Sequence, residues 1–390
     1  MEIRNHFKNG EAQTSKRNSF VMAVLMLFSI NSYSQNNVID TCHTYLKENG
    51  QSPEKYVVSK FEQYDYVFLG EYHRNKQDAD FVTSLIPGLY ENGIRNIAIE
   101  FYAYKSQRIV DSLLIAKEWN EKLMYHQLSS GFGIAWGYTE YINLFKKVWE
   151  YNQTLNPYQL KFRVVLLGYD YDPCKKGLER FGGYDPDVFH AAVFEKEVIS
   201  KQEKSLIYCG MHHAFTGYRQ PVYRIIGKRK PKSFFDNRMG NIINKQHPDK
   251  TFTISLHYPW ASDKGVNQVV KPVNGVIDDL MDLFNNSPMG FDVRNTIIGT
   301  LKANNTSYAF GYDDFKLEDF CDGYVFLLPY KEIKFVSVEP NFYDEYNLNK
   351  LGEFLKCRGY SAKRAQKITQ EIAIRILTED PKKHYRRLMK

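Results

Sequence analysis

At 390 residues, 43% hydrophobic and 15% aromatic, the chain carries enough apolar side chain for one large buried core, and no low-complexity tract argues for extended disorder. The net charge of +7, from 52 basic and 45 acidic residues, is a mild excess. The basic runs at Lys228–Lys232 and Lys382–Lys390 come without interleaved aromatics or a nucleic-acid motif, so they read as solvated charge and no nucleic-acid partner is expected.

In chain order, the first signal is Lys16-Arg17, then the apolar run Phe20–Ile30, then Ser32-Tyr33-Ser34 before Gln35. This is the layout of a secretory signal peptide over residues 1–34. The run is about half of the roughly 20 residues that a membrane-spanning helix needs. The expectation is an exported protein, periplasmic or secreted, that does not span a membrane. Cys42 lies several residues beyond the expected cleavage point, which argues against a lipid anchor. The five cysteines Cys42, Cys174, Cys209, Cys321 and Cys357 are too scattered for a metal framework, and their odd number leaves at least one unpaired within the chain.

Tyr66-Val67-Phe68-Leu69 reads as a buried strand ending at Gly70. Phe81, Val82, Leu85 and Leu89 then recur at helical spacing, Gly93 stops the helix, and Ile97–Phe101 is the next strand. The alternation continues with a helix over Tyr138–Tyr151, a strand Phe162–Leu167 ending at Gly168, a helix over Val188–Ser200 and a strand Leu206–Cys209 ending at Gly210. Such alternation predicts an α/β fold with a mostly parallel central sheet, helices on both faces and a site at the C-terminal ends of the strands. Further strands are expected at Thr251–His257 and Tyr324–Leu328, and a helix over Ala362–Leu377. The stretch from about Lys228 to Asn305 is rich in Asn, Asp, Gly and Pro and predicts long loops that cover the site. The division expected is an α/β domain over 35–345 followed by a basic helical extension over 346–390.

Two Gly-x-x-His motifs, Gly70–His73 and Gly210–His213, each follow an apolar strand directly. The motif is weak alone; its position after a strand is what raises it. The glycine lets the backbone turn off the sheet, and the histidine three residues on can point back over the strand ends. Glu100 ends a third strand, where a carboxylate is costly to bury without a partner, and Glu71 adds a second carboxylate. His73, His213, Glu100 and Glu71 are therefore the candidate catalytic residues. His73, His213 and Glu100 suit a divalent metal such as zinc, manganese or cobalt. They equally suit metal-free catalysis, in which a histidine oriented by a carboxylate takes a proton from water. Tyr72 and His212 are candidate cofactor contacts, and Asp170 is either one as well or a helix N-terminal acceptor. His126, His190 and His257 read as structural, and Trp136, Tyr138 and Tyr141 as core.

In Val67-Phe68-Leu69-Gly70-Glu71-Tyr72-His73, Ile97-Ala98-Ile99-Glu100 and Cys209-Gly210-Met211-His212-His213-Ala214, the chain resembles the superfamily that joins erythromycin esterases, ChaN-type haem-binding lipoproteins and Tiki/TraB proteins. Trp136, Asn152, Gly168-Tyr169-Asp170 and Asp322-Gly323-Tyr324 look most like the esterase branch. The resemblance implies that His73 is a general base or metal ligand, Glu100 the essential acidic residue and His213 the second histidine. It implies a hydrolase acting on a small-molecule or peptide substrate. The alternative is a haem- or metal-binding envelope protein in which His73, His213 or Tyr72 is a ligand. An exported chain without a lipid-attachment cysteine departs from both the cytoplasmic resistance esterases and the ChaN lipoproteins, and an envelope ester or peptide suits it better than a macrolide.

Overall fold

The computed structural model describes residues 38–222, 233–365 and 367–378. The expected signal peptide and both basic runs lie outside the described residues. Residues 38–49 form a helix.

Seven strands make the central sheet: β1 Tyr66–Glu71, β2 Asn96–Ala103, β3 Arg163–Gly168, β4 Ser205–Gly210, β5 Thr251–Leu256, β6 Met289–Asp292 and β7 Gly323–Phe326. Their order is β6-β7-β5-β1-β4-β2-β3. Every pairing is parallel except β6 with β7. Every residue of β1, β4 and β5 is buried, as a parallel sheet with helices packed around it requires, although β5, Thr251-Phe252-Thr253-Ile254-Ser255-Leu256, alternates small polar with apolar side chains. The fold is α/β, as the alternation of elements predicts.

The register positions the site. In β1 and β4, Gly70 lies opposite Cys209 and Glu71 opposite Gly210, so the two Gly-x-x-His turns leave the sheet side by side. On the far side of β4, Ile99 of β2 lies opposite Tyr208, which brings Glu100 to the same level. There β2 departs from regular pairing with β3, between Ile99 and Ala103. An irregularity of this kind re-aims a side chain. Gly168 makes it possible: a Cβ there would stand 2.5 Å from the Tyr102 carbonyl oxygen and 2.8 Å from that of Glu100.

Over residues 233–305, the described part of the stretch expected to form long loops, the chain is more regular than its composition predicts. It contains the helices Met239–Gln246 and Val276–Leu283, strands β5 and β6, and a hairpin of Trp260–Ser262 with Gly265–Val270. The sequence reading missed β6 because its four residues, Met289-Gly290-Phe291-Asp292, are too short to show alternation. The helix expected over Ala362–Leu377 is two pieces, Ala362–Ala365 and Gln370–Thr378. Among the described residues after 345, Leu351, Leu355, Ala373 and Leu377 join the cluster that holds Val67, Ile97 and Leu206. Cys357 forms a disulfide with Cys174. Among the described residues, no helix is long and apolar enough to cross a membrane.

Candidate functional site

Glu71, the last residue of β1, has a fully buried side chain. His73 Nδ1 lies 2.8 Å from its Oε1, the Tyr141 hydroxyl donates to both carboxylate oxygens at 2.9 and 2.8 Å, and the Tyr208 hydroxyl donates to Oε2. Such a clamp fixes the carboxylate, and the carboxylate fixes the ring of His73. Behind His73, Arg74 turns the chain away with φ +75°, a left-handed conformation unusual for a side chain of this size. Its amide donates to the same Tyr141 hydroxyl at 3.0 Å. Tyr141, read from the sequence as core, therefore has a polar role.

His73 Nε2 lies 3.6 Å from Glu100 Oε1, which also accepts the Gly210 amide at 2.9 Å. Gly210 must lack a side chain here, because a Cβ would stand 2.6 Å from His73 Cε1. The other oxygen, Glu100 Oε2, lies 3.2 Å from His213 Nε2. His213 Nδ1 is 2.6 Å from Asp187 Oδ1, which also accepts the Met239 amide at 2.8 Å, and Asp187 Oδ2 accepts from Arg238 Nη1 at 3.1 Å. One chain of charges thus runs Glu71, His73, Glu100, His213, Asp187, Arg238.

The sequence places Asp187 by helix chemistry. Asp185 caps the helix Pro186–Glu197 through its side chain, Pro186 starts it, and Asp187 with His190 then shares one helix face. His190 is only 2% exposed, its ring stacks on Tyr169 at 5.5 Å, and its centroid is 5.1 Å from that of His213. The sequence reading does not single out Asp187, Arg238 or Tyr208, and it reads His190 as structural. Asp187 and His190 three apart on a capped helix, facing a strand end, was the one available signal.

Burial disfavours charge on His73, but its hydrogen bond to Glu71 and the charges of Glu100 and Glu71 outweigh it, so its pKa is raised. In His213 burial is likewise outweighed, by Glu100 and Asp187, and the pKa is pushed up to about 9. Burial dominates for His190 and His212, both pushed down to about 3. Burial would raise the Asp187 carboxyl, but its hydrogen bond to His213 and the charges of His213 and Arg238 hold it well below the usual range.

Glu71, His73, Glu100, His190, His212 and His213 all line one cavity of about 710 Å³. Phe101, Phe132, Trp136, Tyr169, Tyr258 and Tyr308 supply much of its wall, and Tyr258, Pro259, Ala261 and Val269 come from the stretch expected to cover the site. Tyr72 also lines it, stacked on Tyr258 at 5.7 Å, and His212 Nε2 is 3.0 Å from the Tyr308 hydroxyl. Asp170 does not join the cluster. It lies outside the cavity lining, largely exposed, and pairs with Lys105 at 2.5 Å.

His126 pairs with Asp344 at 2.7 Å, and His257 Nδ1 lies 2.8 Å from the Tyr324 hydroxyl. Burial, with a smaller effect of Lys271, pushes the His257 pKa down to about 3. Asp278, 3.8 Å away, is itself pushed up to about 6 by burial and is increasingly neutral in acid. A histidine with a depressed folded-state pKa stabilises above its unfolded value near 6.5, and that stability is lost as pH falls toward 3. The His257→Gln variant is therefore expected to flatten the acid limb of unfolding free energy against pH by about 1.4 kcal/mol per unit. Urea titrations between pH 6 and 4 measure this, and parallel limbs would show that His257 takes up no proton on unfolding.

No protein family and no curated protein matches the chain. Solved structures do resemble it at low identity. A Bacillus cereus protein aligns at 11% identity with a TM-score of 0.44, over 74% of this chain and 96% of its own. A succinoglycan biosynthesis protein aligns at 11% and 0.48, over 78% and 99%. A mutant erythromycin esterase in its open conformation aligns at 10% and 0.46, over 69% and 91%. At an identity of about a tenth, none of these likenesses assigns a role to a residue of this chain.

Proposed function

We propose that this chain is an exported hydrolase of ester or peptide bonds in which His73 takes a proton from water. One observation carries the reading: Glu71, itself held by two tyrosine hydroxyls, fixes Nδ1 of His73, and Nε2 is left at the cavity beside Glu100. A general base needs this arrangement, with one nitrogen donating to an orienting carboxylate and the other free to accept. When His73 becomes an imidazolium, Glu71 and Glu100 flank it and stabilise the charge. His213 in turn offsets the charge of Glu100 on its far side.

The cavity volume lies within the range of small-molecule sites, and its aromatic walls suit the apolar or ring-bearing part of an ester or the side chain of a peptide. The Cys174–Cys357 pairing supports an oxidising compartment and hence export.

The test is hydrolysis of a panel of chromogenic esters and peptide amides by the tag-free protein and by its His73→Ala variant. Turnover that disappears in the variant supports the reading. Turnover retained in the variant, or none on any substrate, counts against it.

A further inference from the structure

Three buried polar atoms beside the base are not accounted for by proton transfer at His73. Among the described residues, neither ring nitrogen of His190 has a hydrogen-bond partner, and Glu100 Oε2 has none beyond its ion pair with His213 Nε2 at 3.2 Å. An unsatisfied buried polar group costs about 1–3 kcal/mol, so native proteins keep few without a use. These atoms also converge. One ligand atom each from Glu100, His190 and His213 lies within 4.8 Å of the others.

We propose that Glu100, His190 and His213 form a binding site for a divalent cation of the zinc type, with His73 outside the ligand set. Two imidazoles and one carboxylate are a borderline donor set suited to zinc or cobalt, and three protein ligands leave a position open. Metal–ligand bonds of about 2.0–2.2 Å need donor atoms about 3.4 Å apart, so side-chain shifts of about 1 Å bring the trio into range. The outer partners are in place too. His213 Nδ1 is 2.6 Å from Asp187, and Arg238 backs Asp187 at 3.1 Å, which turns Nε2 of His213 toward the site. His73 is differently engaged, with Nδ1 on Glu71 and Nε2 nearest the opposite carboxylate oxygen, Glu100 Oε1. The use of the cation rests on the hydrolase reading, as an electrophile beside the base; its binding does not.

The experiment uses the protein purified without a histidine tag, stripped with chelator and titrated with zinc by calorimetry, with X-ray absorption at the zinc edge on the loaded form. One zinc per chain and two imidazole ligands are expected. His73→Ala, which alters a partly exposed residue, should keep the affinity within about threefold and keep both imidazoles. His190→Gln should lose more than the roughly 10–100-fold that removal of an outer partner costs. No stoichiometric zinc, loss of an imidazole in His73→Ala, or full affinity in His190→Gln each overturns the proposal. The His73→Ala spectrum decides even if His190→Gln does not fold. Absence of zinc together with His73-dependent hydrolysis would remove the cation site and leave the hydrolase. Zinc bound with the expected ligands, but no turnover on any ester or amide, would support the site and remove the hydrolase.

Discussion

The His73→Ala variant is expected to lose about 10²–10⁴-fold in kcat/KM, the usual contribution of a positioned general base, while its melting temperature stays within about 2 °C of the parent. The two halves of this expectation have separate causes. The side chain of His73 is 44% exposed and rests edge-on against Trp136 and Phe101, so its removal opens no sealed cavity. Glu71 loses one partner but keeps the hydroxyls of Tyr141 and Tyr208. What disappears is the nitrogen beside Glu100 that the proposed reaction uses as its proton acceptor. A loss of activity matched by a large drop in melting temperature would instead mean that His73 holds the strand ends together. A loss smaller than about tenfold would assign the base elsewhere.

Asp187→Ala is expected to have the largest effect on stability, about 3–5 kcal/mol in urea or guanidinium unfolding, the usual cost of removing one partner from a buried ionic network. Asp187 is 5% exposed and satisfies three donors: His213, Arg238 and the Met239 amide. Its removal leaves the Arg238 charge with only the Gln220 carbonyl, leaves His213 with Glu100 as its one carboxylate, and takes the acceptor from the Met239 amide at the start of the helix Met239–Gln246. Asp187→Asn keeps the shape but not the charge, and should cost less than Asp187→Ala. A cost below about 1 kcal/mol for Asp187→Ala would show that water already screens the network.

What the sequence discloses divides along a physical line. The strands are legible because a parallel strand buried on both faces is an uninterrupted apolar run, and Tyr66–Leu69 and Leu206–Cys209 have that form. His73, Glu71, Glu100 and His213 stand out because each sits where such a run ends, and the structure brings all four into one cluster. His190 reads as structural, since on its own helix it is one buried position among Ala191, Val193 and Phe194. Only packing of that helix beside the strand ends sets it against His213, and no local pattern encodes that. Asp187 and Arg238 find each other across 51 positions for the same reason. Tyr141 does pack in the core, as its helical spacing predicts, but that spacing is the same whether or not its hydroxyl clamps a carboxylate. Asp170 looked promising at its strand end, but beyond Gly168 the chain carries it outward to Lys105.

The position of β1 in the middle of the sheet bears on how the chain acquires its structure. Tyr66 pairs with Ser205 on one side and Thr251 on the other, and both partners lie in the second half of the chain. No neighbour close in sequence can shelter this strand, so closure of a long loop must precede its first ladder of hydrogen bonds. During synthesis the strand leaves the ribosome well before either partner exists, with Tyr66–Leu69 presenting an apolar edge that a strand from another chain can occupy. The clamp on His73 forms only after β4 supplies Tyr208. Early exposure of β1 is thus the point at which misassembly competes with folding, and a holding chaperone would act there to the greatest effect.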